Sequence, residues 1–189
     1  MLPTAGEFDP DDNYAGHADA DSGDVDELSA EALIWQLLLL INPDDEDAAR
    51  QQFEAWQELI DGAEPSREEV LTALRTVTDW RSCFFVDQLD AAGLVECIDE
   101  LAARWNLRID WGFDDSVEEN ALAAMEIPTL IRHAHDELRE HGYTLWTWQP
   151  QELSSESVYA GWITQRHEDE AVEAVAAALG FDTRPAGAL

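Results

Sequence analysis

The pattern of apolar and polar positions divides the chain in two. From Leu28 to about Asp79, apolar residues recur at helical spacing. Ser29 is placed to cap a helix running to about Ile41, where Asn42-Pro43 stops it. Leu33-Ile34-Trp35 and Leu37 to Ile41 make this helix apolar on nearly all sides, so burial is expected. Asp44 to Asp47 places four acids in the first turn of a second helix, where they suit the helix dipole. Its stripe is Ala49, Phe53, Trp56 and Ile60, ending at Gly62. Ser66-Arg67-Glu68-Glu69 has the form of a capping box and opens a third helix with Val70, Leu74 and Val77 inward.

Beyond Trp80 the period shortens. Cys83 to Val86 predicts a short buried strand, followed by a helix from about Ala91 to Trp105 with Leu94, Ile98, Leu101 and Trp105 inward. Asn106 suits a left-handed cap. Arg108 to Phe113 alternates, with Ile109, Trp111 and Phe113 on one face, and predicts a second strand. Ser116 and Glu119 form a second capping-box pattern, and Pro128 opens a helix carrying Leu130, Ala134 and Leu138 that ends at Gly142. Tyr143 to Trp148 and Val158 to Thr164 predict a hairpin. A last helix with Val172, Val175, Ala176 and Leu179 ends at Gly180 and leads to an edge strand around Phe181 to Arg184.

The expected fold class is α+β: an N-terminal helical block, then a mixed sheet in the order β-α-β-α-α-β-β-α-β, with helices packed on one side. Residues 1–27 hold nine acids and no base and are expected to form a disordered acidic arm. Residues 28–189 are expected to form a single domain, helical over 28–79 and sheet-containing over 80–185.

Charge narrows the functional classes. The chain has 189 residues, 42 acidic and ten basic, with a formal net charge of −32, and every basic residue is arginine. Without lysine there is no Schiff-base chemistry, no phosphate loop ending in Gly-Lys-Ser/Thr and no kinase lysine. Nucleic acid and anionic membrane are disfavoured as direct partners, because both repel such a surface. Residues 1–31 contain ten acids and no base; the remainder keeps 32 acids and ten bases, so the folded part is acidic in its own right. The two cysteines cannot build a disulfide framework, and no basic-then-apolar leader opens the chain, so a reducing cytoplasm is expected.

Leu40-Ile41-Asn42-Pro43, Asp79-Trp80-Arg81-Ser82, Phe84-Phe85-Val86-Asp87, Tyr143 to Trp148 and Tyr159-Ala160-Gly161-Trp162 occur in that order. In this arrangement the chain resembles an uncharacterised bacterial family, the domain of unknown function numbered sixty-six thirty, over roughly residues 28–185. The resemblance implies a compact bacterial domain and carries no activity, cofactor or catalytic residue.

Candidate chemistry is sparse. His133, Glu137 and His141 share one helical stripe as ligands would, but the stripe borders the apolar face and His141 sits beside the helix end at Gly142. His167-Glu168-Asp169-Glu170-Ala171 begins like the zinc-protease motif but has alanine at the second histidine position. Asp19 to Asp24 hints at a calcium loop, yet its twelfth position is Ala30 rather than glutamate. No metal or other cofactor is therefore expected. An acid–base reading would use Asp87 and Asp110 with Arg81 in an aromatic-lined cleft. The structural alternative is that Arg81 pairs with an acid and fixes its loop. The favoured reading is a non-catalytic acidic module for a basic protein, immunity- or inhibitor-like, with Trp146, Trp148, Trp162, Tyr159, Asp79 and Trp80 as binding surface.

Overall fold

Capping residues set most of the helix boundaries. A computed structural model describes residues 29–60, 66–112, 125–148, 158–180 and 182–188. Helix α1 (Ala30–Ile41) starts where the Ser29 side chain accepts from the Ala32 amide. Helix α2 (Glu46–Leu59) is capped by Asp45, so only Glu46 and Asp47 of the four expected acids lie in its first turn. Asp44 instead adopts a left-handed conformation (φ 64°) in the turn between the two helices, one that a short polar side chain tolerates better than most. Helix α3 (Arg67–Val77) begins with the expected reciprocal Ser66–Glu69 box. That hydrogen bonding holds the Glu69 carboxyl below its ordinary range.

Strand β1 (Phe84–Asp87) and helix α4 (Ala91–Ala103) follow, and Asn106 takes the left-handed conformation (φ 56°) just past the helix. Helix α5 (Ile127–Glu140) starts at a proline, and strands β2 (Tyr143–Trp148) and β3 (Val158–Gln165) form the expected hairpin. Helix α6 (Asp169–Leu179) ends at left-handed Gly180, and strand β4 (Thr183–Pro185) forms a sheet edge. The α+β class is as the sequence indicates.

Three features differ from the sequence reading. The sheet, ordered β1-β3-β2-β4, is antiparallel at every pairing rather than mixed. Residues 107–112 form no strand: Ile109 is buried, the Trp111 indole donates to Asp99 (3.0 Å), and His133 Nε2 donates to the Asp110 carbonyl (2.6 Å). The alternation there reflects a segment fastened onto α4 and α5, not a sheet ladder. The second capping-box pattern, Gly62 and the Asp19–Asp24 segment lie outside the described residues.

Helices cover both faces of the sheet, not one. Trp146, Trp148, Ala160 and Trp162 face α1, α2, α3 and α6 in one core. Phe84, Val86, Leu145 and Ile163 face α4 and α5 in a second. This explains why both faces of β2 are bulky and apolar. Gly161 is required at the centre. Phe84 pairs directly across from it, and a Cβ there would lie 2.6 Å from the Phe84 ring and closer still to the Trp146 carbonyl. At the far end, Arg139 donates to Thr144 Oγ1 (2.7 Å) and Asp169 (2.6 Å), joining α5, β2 and α6.

Candidate functional site

Two of the recognised sequence segments, Leu40 to Pro43 and Asp79 to Ser82, meet in space. Asn42 at the end of α1 is 2% exposed, Gln52 inside α2 6%, and Ser82 before β1 1%. Their side chains close a triangle: Asn42 Nδ2 donates to Gln52 Oε1 (2.9 Å), Gln52 Nε2 to Ser82 Oγ (2.8 Å), and Ser82 Oγ to Asn42 Oδ1 (2.6 Å). Asn42 Nδ2 also donates to the Leu38 carbonyl. Buried polar groups satisfied this fully fix one arrangement of the backbone that carries them.

Arg104, just past α4, closes the other side. Its guanidinium donates to the carbonyls of Ile41 and Arg81 and lies 5.4 Å from the Trp105 ring. Burial lowers its pKa from the ordinary value, opposed by the charges of Asp45 and Asp79. The loop Asp79–Ser82 is thus held by α1, α2 and the end of α4 together. Within it, Arg81 makes a double contact to Asp79 Oδ2 (3.0 and 2.8 Å), and Asp79 raises the Arg81 pKa by hydrogen bond and charge. Trp80 stands out from this anchored loop, 59% exposed, with the Arg81 guanidinium 5.9 Å from its ring. Trp105 continues the surface through a 4.6 Å ring contact with Tyr143, whose pKa is raised by burial and then by Asp44. Gln165 donates to Asp44 across the same edge.

Three of the residues expected in a site, Asp79, Trp80 and Arg81, therefore stand together. The others do not join them. Trp146, Trp148 and Trp162 are buried under α1 and α6, with the Trp146 indole donating to Thr164 Oγ1 (2.9 Å); because helices cover that face, these rings belong to the core and present no surface. Tyr159 is half-buried on the opposite face. Arg81 pairs with Asp79 rather than with Asp87 or Asp110. Asp87 accepts from the Leu89 amide and Asp110 from the Gly112 amide, each closing its own turn. Strand β1 separates Arg81 from Asp87: Arg81 lies in the turn before it and Asp87 is its last residue. His133 is engaged by the Asp110 carbonyl, and among the described residues no three His, Cys, Asp or Glu side chains group as a metal would need. Burial pushes the Cys83 thiol up to about 12 against hydrogen bonds from Thr78 and Trp148, which disfavours its thiolate.

Sequence reading missed Gln52, Arg104 and the structural part played by Asn42 and Ser82. A signal existed for Gln52, which lies four residues from both Ala48 and Trp56 and so on the buried face.

The fold and site define a sheet sandwiched between helical layers, with an anchored loop displaying a tryptophan among charged groups. The chain belongs to the DUF6630 family, described as a domain of unknown function, which matches residues 33–186. No curated protein and no solved structure matches it. No described helix is long and apolar enough to cross a membrane.

Proposed function

We propose that this protein is a non-catalytic binding module that takes a basic protein partner on the surface around Trp80. The observation that carries the reading is an exposed tryptophan on a loop held by a buried hydrogen-bond triangle and by Arg104. A large side chain displayed on a pre-ordered backbone binds with little ordering cost, the pattern of an interface anchor. Asp44 and Asp45 stand exposed at the adjoining turn, and the net charge of −32 steers cationic partners toward the molecule. A cytoplasmic setting agrees with two free cysteines. The individual placements of Asp87, Asp110 and Arg81 give the acid–base alternative no support.

The test is recovery of partners from lysate on the full chain and on Trp80→Ala, at low salt and at high salt. Basic proteins held by the native chain at low salt should be lost on Trp80→Ala and also lost at high salt. Recovery of the same proteins by the variant, or recovery indifferent to salt, overturns the reading. Trp80→Ala should leave stability within about 0.5 kcal/mol, since the side chain is exposed.

A further inference from the structure

We infer that a second surface, the shallow cleft between α1 and α2, receives an apolar side chain from a basic polypeptide segment. The cleft has a volume of about 540 Å3. Trp35 and Phe53 form its floor, in edge-to-face contact at 5.3 Å between ring centroids. Both rings are only half-buried, although Phe53 stacks on the fully buried Trp56 at 5.9 Å and so is held in place. The cleft is a firm aromatic floor open to solvent, which suits a leucine or an aromatic ring.

The rim decides what carries that side chain. Glu31 and Glu54 line the cleft, and Gln57 Nε2 donates to Glu31 across it (2.8 Å). Among the described residues of the lining Arg50 is the one cation, and it is ion-paired with Asp47. The described rim therefore carries more carboxylate than cationic charge. A second copy of this chain, at −32, would meet like charge there, and so would the chain's own residues 1–28, with nine acids and no base. A segment carrying arginine or lysine on either side of an apolar residue satisfies floor and rim together. Trp35 on the cleft floor lies six residues before Ile41, where Arg104 ties α1 to the Trp80 loop, about 9 Å along the helix axis. The inference rests on the reading of a basic partner, not on Trp80 being its anchor.

The probes are a synthetic peptide alternating arginine with leucine, and an all-arginine peptide of equal charge, each titrated into the full chain while the tryptophan indole NH signals are followed by NMR. The leucine-bearing peptide should shift the Trp35 indole, and the all-arginine peptide should bind more weakly and leave it in place. Glu31→Arg combined with Glu54→Arg should weaken the leucine-bearing peptide by about tenfold, with retained indole NH signals for the buried Trp56, Trp146 and Trp162 as the check that the variant is folded. A Trp35 signal unmoved at saturation overturns the inference, as does equal binding by the charge-reversed chain. Contacts from Leu2, Phe8 or Tyr14 to Trp35 in the free protein, or a dimer that covers Trp35, would give the cleft to another occupant and overturn it too. A shift at the Trp80 indole alone removes the cleft and leaves the proposed function standing. A shift at Trp35 that persists in Trp80→Ala shows the cleft binding independently of Trp80 and supports the inference. Failure of both peptides to bind removes both.

Discussion

Removing one corner of the Asn42–Gln52–Ser82 triangle should cost far more than a single neutral hydrogen bond. Asn42→Ala deletes the partners of Gln52 Oε1 and Ser82 Oγ, while the Leu38 carbonyl keeps the Asn42 amide. Each buried group left unpaired costs about 1–3 kcal/mol, so the variant should lose about 2–6 kcal/mol. Ser82→Ala strands the Gln52 amide nitrogen and Asn42 Oδ1 and should lose a similar amount. The double variant removes the shared Ser82–Asn42 bond once rather than twice. Its loss should therefore fall short of the sum of the singles by about 1–2 kcal/mol. Urea unfolding followed by tryptophan fluorescence measures all three, with unchanged denaturant slopes as the control for two-state behaviour. Losses under about 0.5 kcal/mol for either single variant, or additivity within about 0.5 kcal/mol, would refute the argument that the triangle is what fastens the Trp80 loop to α1 and α2.

Gly161→Ala should lower stability by about 3 kcal/mol, because its Cβ would enter the Phe84 ring and the Trp146 carbonyl; an unchanged thermal midpoint would contradict the packing described. His135 is buried with Nδ1 donating to the Leu145 carbonyl, and burial lowers its pKa from 6.5, with Arg139 reinforcing and Asp136 and Asp169 opposing. The unfolded chain then takes up the proton first, so this contribution to stability is present above about pH 6.5 and is lost as pH falls below it. His135→Gln should flatten that slope in urea midpoints, and an identical slope would exclude His135 as its source. Cys83 should resist a thiol reagent at neutral pH until the protein unfolds, as its raised thiol pKa demands; labelling in the native state, read by mass, would contradict the burial. Proteolysis should make no cut between Asp79 and Phe84, since α1–α3 and the sheet share one core; two stable pieces split there would mean two domains.

The sequence made helices legible wherever a cap and a periodic stripe agreed, as at Ser29, Ser66 and Gly180. It misled at residues 108–112 because alternation records which side chains are buried, not whether a neighbouring strand exists. Ile109 and Trp111 satisfy the pattern by packing on α4 and α5. The tryptophans of β2 and β3 misled for a related reason. A strand bulky on both faces is equally consistent with a covered sheet and with an exposed aromatic wall, and only the placement of α1 and α6 decides between them. Trp80 was identifiable because it stands in a polar loop where no core stripe claims it. Gln52 and Arg104 were harder to see, since a polar residue on a helix normally indicates solvent, and their partners lie ten to sixty-three residues away in the chain.

Seven of the ten arginines are engaged in local structure. Arg104 is used on two backbone carbonyls, Arg139 on Thr144 and Asp169, and Arg67 lies over left-handed Gly180 at the end of α6. Arg81, Arg50 and Arg184 pair with acids two or three residues away, and Arg75 lies over Phe85. Planar guanidinium groups suit such forked and stacked contacts better than ammonium groups do. Even with every arginine counted, residues 32–189 carry 32 acids against ten bases, and the surplus repels itself across the surface. Self-repulsion of this kind destabilises the compact state. Added salt shortens the Debye length from about 30 Å at 0.01 M to about 8 Å at 0.15 M. Raising sodium chloride over that range should therefore raise the urea midpoint of the isolated protein, while the same salt weakens its hold on a basic partner. A midpoint that falls with salt would mean that attractive ion pairs outweigh the repulsion, and the surplus would then not be free to steer anything.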